Sequence, residues 1–148
     1  MGQLALKKIE ELVKDSVVGT LVCFDGKNKR DFPIIFVCDR NYIYSFSREL
    51  DKIELMRKDP AVLIKLFKDK NTRGWSSINI IGIYEELKDM DAEIARCVIR
   101  DKLILTIEND DSIQIPGMSI DDIYQNLEDS LVIYRINMLK KSGKAQLI

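Results

Sequence analysis

The chain has 148 residues, with 23 lysines and arginines against 24 acids and no histidine. That length suits one domain spanning 1–148 with a substantial core, and the near-neutral balance leaves no field to draw the molecule to nucleic acid or an anionic membrane. Without histidine there is no Ser-His-Asp triad, no Cys-His dyad and no imidazole-rich metal site, so any chemistry falls to carboxylates, lysines, tyrosines or a borrowed cofactor.

Cys23, Cys38 and Cys97 form no C-x-x-C pair and sit among apolar neighbours, as free cysteines in a reducing compartment do. The opening Met-Gly-Gln-Leu-Ala-Leu-Lys-Lys lacks a basic region followed by an apolar run, and no apolar stretch approaches the ~20 residues that span a bilayer. A cytoplasmic protein is expected.

In chain order, Leu4, Leu6, Ile9, Leu12 and Val13 recur at helical intervals and predict an amphipathic helix from Leu4 to Val13. Val17 to Phe24 is β-branched and reads as a strand ended by Asp25-Gly26, with a polar turn from Gly26 to Asp31 before a second strand from Phe32 to Val37. Pro33 cannot donate a ladder bond, which puts it at a strand start or on an edge. Asp39-Arg40-Asn41 turns the chain into a third strand, Tyr42 to Phe46, completing a meander. A short helix follows from about Leu50 and is closed by Asp59-Pro60.

Ala61 to Phe67 is the fourth strand, Lys68 to Gly74 a charged turn, and Trp75 to Leu87 the fifth and longest strand, expected to be central. Gly82 inside it marks a sharp bend or a close approach of backbone. At its head, Trp75, Ser76 and Ser77 set a flat apolar ring beside two hydroxyls, a mixture suited to an amphipathic ligand, although from composition alone the more direct reading is a ring that plugs a barrel end beside serines that face water. Asp89 or Asp91 caps a helix through about Arg100. Leu103 to Ile107 fits an extension of that helix or a separate strand, and the segment to Ile115 is left unassigned. Ser119 caps a short helix through Leu127, Ser130 to Asn137 is the last strand, and Lys140 to Lys144 is a polar tail.

This order of elements predicts a mainly β (α+β) protein, a six-stranded antiparallel split β-barrel with flanking helices. Three stretches carry a more particular likeness: Val18-Gly19-Thr20-Leu21 with Asp25-Gly26; Tyr42 to Ser47 followed by Lys52 and Asp59-Pro60-Ala61-Val62; and Ser77 to Glu85. In their order and spacing the chain resembles the FMN-binding split-barrel proteins related to pyridoxamine 5'-phosphate oxidase, particularly the small nitroimidazole-resistance-like flavoproteins. The resemblance implies FMN at a homodimer interface, with Ser47 and Lys52 at the phosphate, Arg48 as a further donor, and Trp75, Ser76 and Ser77 at the flavin ring. It also implies an oxidoreductase that reduces a small organic acceptor, with NAD(P)H as donor; no catalytic side chain and no metal ligand are named.

Departures accompany the likeness. Phe46 stands where the nitroimidazole-resistance group often has histidine, and Glu49 and Asp51 bring negative charge toward the expected phosphate. No arginine-rich substrate motif lies near Tyr134 to Lys144, so pyridoxamine-phosphate oxidation itself is not implied. Two other readings stay open: a split barrel without flavin that serves as a binding or regulatory module, and a haem-binding relative ligated by Cys, Met or Tyr.

Overall fold

The computed structural model describes residues 2–69, 74–109, 119–130 and 132–147. Its elements are β1 (Gly2–Gln3), α1 (Leu6–Asp15), β2 (Val18–Asp25), β3 (Asn28–Asp39), β4 (Tyr42–Ser47), α2 (Asp51–Lys58), β5 (Ala61–Asp69), β6 (Gly74–Leu87), α3 (Asp89–Asn109), α4 (Ile120–Asp129) and β7 (Val132–Leu147). Strands β7, β4, β3, β2, β5 and β6 are neighbours in that order, and β6 pairs back onto β7. Six strands therefore close a ring through antiparallel pairings, while β1 adds two residues to β7. This is the expected six-stranded antiparallel split barrel with flanking helices.

Local chemistry explains most of the turns. Asp25 pairs with Asn28, so the β2–β3 hairpin turns on Gly26 and Lys27 alone. Gly26 has φ 62° at the first central position, the residue and geometry that a type II′ hairpin selects. The turn is thus tighter than the polar run from Gly26 to Asp31 suggests, and Lys29 and Arg30 belong to a strand. Pro33 is exposed inside β3, beyond the Phe36–Asp39 stretch that β4 covers, so its missing donor is tolerated on a free edge.

The long β6 is paired on both sides, as expected of a central strand. Between Ile81 and Gly82 its partner on β7 jumps from Lys140 to Met138, leaving Leu139 as an extra residue in a β-bulge. A Cβ at Gly82 would overlap Ile136 Cγ2 and come within 2.7 Å of the Asn137 carbonyl oxygen. Glycine is required here by proximity.

Two apolar bodies form on opposite faces of the same wall. Inside the ring, Leu21, Phe36, Ile43, Ile64, Ile80 and Tyr134 are fully buried, and α2 adds Ile53 and Met56 while α1 adds Ile9, Leu12 and Val13. Outside it, Val17, Val37 and Ile133 pack against Ala95, Ile99 and Leu103 of α3 and Ile123 and Leu127 of α4. The helical spacing of Ala95, Ile99 and Leu103 answers the ambiguity at Leu103 to Ile107: the helix continues because it carries Leu103, 2% exposed, onto the outer core. Residues 110–118, including the rest of the unassigned segment, lie outside the described residues.

A capping box starts α4: the Asp122 amide donates to Ser119 Oγ (3.2 Å) and the Ser119 amide to the Asp122 carboxylate (3.0 Å). Its last carbonyls are held from α3, where Arg96 donates to Leu127 O (2.6 Å) and Ser130 O (2.8 Å). The final strand differs from expectation. Lys140 to Lys144 is not a tail but the partner of Ile81 to Ser77, because the long free edge of β6 leaves backbone groups that a strand alone satisfies in full. No helix among the described residues is long and apolar enough to cross a membrane.

Replacing Gly82 with alanine is expected to destabilise the protein by about 1–3 kcal/mol, the range for overpacking a tight site. Urea unfolding followed by circular dichroism measures it, and an unchanged midpoint would contradict the close approach at the bulge.

Candidate functional site

The turn from β4 into α2 gathers Ser47, Arg48 and Lys52. Ser47 ends β4, is 6% exposed, and donates from Oγ to the Arg48 carbonyl (2.8 Å). The N-cap of α2 is Leu50, which offers no side-chain cap to the first amides, so that end keeps unanswered donors and partial positive charge. Lys52 lies in the first turn, half-buried, with no hydrogen bond or ion pair among the described residues. Burial lowers its pKa, and only the neighbouring Cys23 works the other way.

Cys23 is fully buried inside the barrel, and burial pushes its thiol up to about 11 against the opposing charges of Lys52 and Arg30. Arg30 is the cross-strand partner of Cys23 and sits 3.4 Å from the Asp51 carboxylate. Arg30 was not among the expected site residues, because it reads in sequence as part of a turn; the tight hairpin carries it toward α2.

The acids of the same corner are answered within the protein. Arg57 donates to both oxygens of Glu49 (2.7 and 2.9 Å) and to Glu86 at the end of β6 (2.8 Å). Glu86 also accepts from the Tyr84 hydroxyl (2.7 Å). The Arg57 bond holds the Glu86 carboxyl below its ordinary range, with burial opposing. Burial first, then the bond to Glu86, raises the Tyr84 phenol. These partners lie far apart in sequence, and only the barrel brings them together.

The second group, at the start of β6, is built differently. Ser76 is 4% exposed, and Ser77 is half-buried beside a cavity of about 440 Å³. Trp75 pairs through its backbone with Asp69 and Gln146; its side chain lies outside the described residues. The shared strand β7 separates the two groups. Ser47 pairs with Val132 at its beginning, whereas Ser76 and Ser77 pair with Ala145 and Lys144 near its end. The structure therefore collects Ser47, Arg48 and Lys52 in one place and Ser76 and Ser77 in another.

No family profile matches the chain. An uncharacterized protein from Rhizobium meliloti is 26% identical over 84 residues, which span 57% of this chain and 56% of that protein. Among solved structures, a FAD-binding protein from Mesorhizobium loti is similar with a TM-score of 0.76 and 23% identity, covering 98% of this chain and 97% of that one. A candidate pyridoxamine 5'-phosphate oxidase from Corynebacterium glutamicum gives 0.67 at 19% identity over 99% and 98% of the two chains. A candidate 5-nitroimidazole antibiotic resistance protein from Bacteroides thetaiotaomicron gives 0.66 at 15%, over 98% and 89%. The chain thus has the split-barrel fold of these proteins, the fold that its sequence motifs resemble.

A pH prediction follows from Glu86. Its carboxyl is depressed from 4.5 in the folded protein, so its contribution to stability is present above that value and lost as the pH falls below it. Glu86→Gln is expected to flatten this part of the acid limb, measured as thermal midpoint against pH from neutrality downward. An acid limb of unchanged steepness would show that the Arg57–Glu86 bond contributes nothing to stability.

Proposed function

We propose that this protein binds FMN, with the phosphate held at the β4–α2 corner, and that it works as an FMN-dependent oxidoreductase on a small organic acceptor. The observation that carries this reading is Lys52: a half-buried ammonium with no counter-charge among the described residues, beside an uncapped helix start and the Arg48 side chain, with the Ser47 hydroxyl free to join them on turning from the Arg48 carbonyl. A phosphate dianion supplies what that corner lacks. The fit is better than the sequence suggests, because Glu49 and Asp51 are already engaged by Arg57 and Arg30. The same pairing weakens the case for a flavin-free regulatory module, which the acidic turn at Glu49 and Asp51 favours.

Bound FMN would supply electron transfer to the acceptor. The chain's residues would bind and orient it: Lys52, Ser47 and Arg48 at the phosphate, with Trp75, Ser76 and Ser77 meeting the ring. Since these groups sit at opposite ends of β7 in one chain, a ligand that needs both is best met by two chains. We therefore read the protein as a homodimer whose partner completes each site, with NAD(P)H as electron donor and the cytoplasm as its compartment. The FAD-binding protein from Mesorhizobium loti lends support through its shared fold.

Titration with FMN, followed by flavin fluorescence, tests this directly. Lys52→Ala is expected to weaken binding by about 10- to 100-fold, the loss of one hydrogen bond to a charged group, without lowering the thermal midpoint. Unchanged affinity would move the phosphate elsewhere, and a colourless protein that takes up no added FMN would end the flavin reading.

A further inference from the structure

We propose that the cavity between the start of α1 and the paired ends of β6 and β7 binds a small organic anion: a carboxylate on a compact apolar body. The inference goes beyond the flavin reading and does not rest on it. The cavity holds about 440 Å³, within the range of small-molecule sites.

Its charge sets it apart. Among the described residues, Lys141 and Lys144 are the only charged ones that line it. A neighbouring cavity of about 380 Å³ shares Lys141 but is also lined by Glu10 and Glu11, and one of about 240 Å³ pairs its lysines with acid, Lys14 beside Asp15 and Lys102 3.1 Å from Asp39. The Lys141 side chain is 15% exposed, and its nearest carboxylate, on the solvent-facing Glu10, is 3.8 Å away, a separation at which water screens most of the attraction. Lys144 has no ion-pair partner among the described residues.

Ser77, Asn79 and Ser142 share the Lys144 face of the sheet and offer it neutral donors, while Leu4 and Ile9 supply an apolar wall on the Lys141 side. Leu6 stands 58% exposed at the rim. At Gly143 a Cβ would come within 3.2 Å of Ile9, Leu4 and the Ser77 carbonyl oxygen, so the absence of a side chain there keeps wall and floor together. Two underneutralised ammonium groups beside an apolar surface select an anion that carries its own hydrocarbon, in preference to a bare phosphate that would leave the wall exposed to water.

The test is an amide-resolved NMR titration of the flavin-free full chain with benzoate, using neutral benzamide as the control for charge. Saturable shifts are expected at Ser77, Asn79, Ser142 and Gly143, with benzamide at least about tenfold weaker, and Lys144→Gln and Lys141→Gln each weakening benzoate about five- to tenfold. Lys144 is exposed, so its variant decides the matter even if Lys141→Gln lowers stability. Lys52→Ala is expected to leave benzoate binding unchanged. Equal binding of benzamide, benzoate affinity indifferent to Lys144, or shifts centred on Arg48 and Lys52 would each overturn the proposal; failure of FMN to bind would not, nor would competition by FMN, whose ring is assigned to Ser77 as well.

Discussion

Everything described depends on the closure of β6 onto β7, the one pairing that turns a curved sheet into a ring. The two strands are joined by no short connection, so their register is set by packing and by the bulge opposite Gly82. The bulge changes phase. On β7 the inward positions are Tyr134, Ile136 and Met138 before it, and Lys141 and Gly143, partners of the buried Ile80 and Ile78, after it. Without Leu139 as the extra residue, the second half of β7 would present the wrong face to the interior, and the lysines near its end would exchange positions with the serine and glycine beside them.

That phase change also explains which parts of the molecule could be read from the sequence. Short strands with one clean alternation and strong turn chemistry, such as Tyr42 to Ser47 or the strand ended by Asp25-Gly26, were legible because period and punctuation agree. The second half of β7 was not, since a period-two pattern interrupted by one residue in a lysine-rich stretch looks like a polar tail. Leu103 to Ile107 was ambiguous for a different reason: a short apolar run fits two periods, and only the outer core of the barrel chooses between them. The ends of the last strand and of α3 thus depended on contacts distant in sequence.

The candidate site divides along the same line. Ser47, Arg48 and Lys52 are close in sequence, and a strand-to-helix turn collects them with no long-range help, so local pattern suffices. What the corner does with charge is non-local. Arg30 arrives across a hairpin, and Arg57 spans from Glu49 to Glu86, so the acids that read as an obstacle become part of a bonded frame. Lys52 stands out by subtraction, as the half-buried cation of this corner with no partner among the described residues once Arg30 and Arg57 are assigned.

The wall formed by β3, β4 and β7 bears an apolar body on each face. Adjacent residues of one strand therefore belong to different interiors: Phe46 packs against the helical layer, and Ser47, one peptide further, is buried at the turn that leads into α2. The peptide between them is planar, and the pairing of Phe46 with Ile133 and of Ser47 with Val132 restrains the torsions on either side of it, so a shift of α3 that displaces the Phe46 backbone is passed on to Ser47. Helices that take no part in ligand contact would in this way set the aim of the group that does, and variation along α3 becomes a means of adjusting the corner from behind.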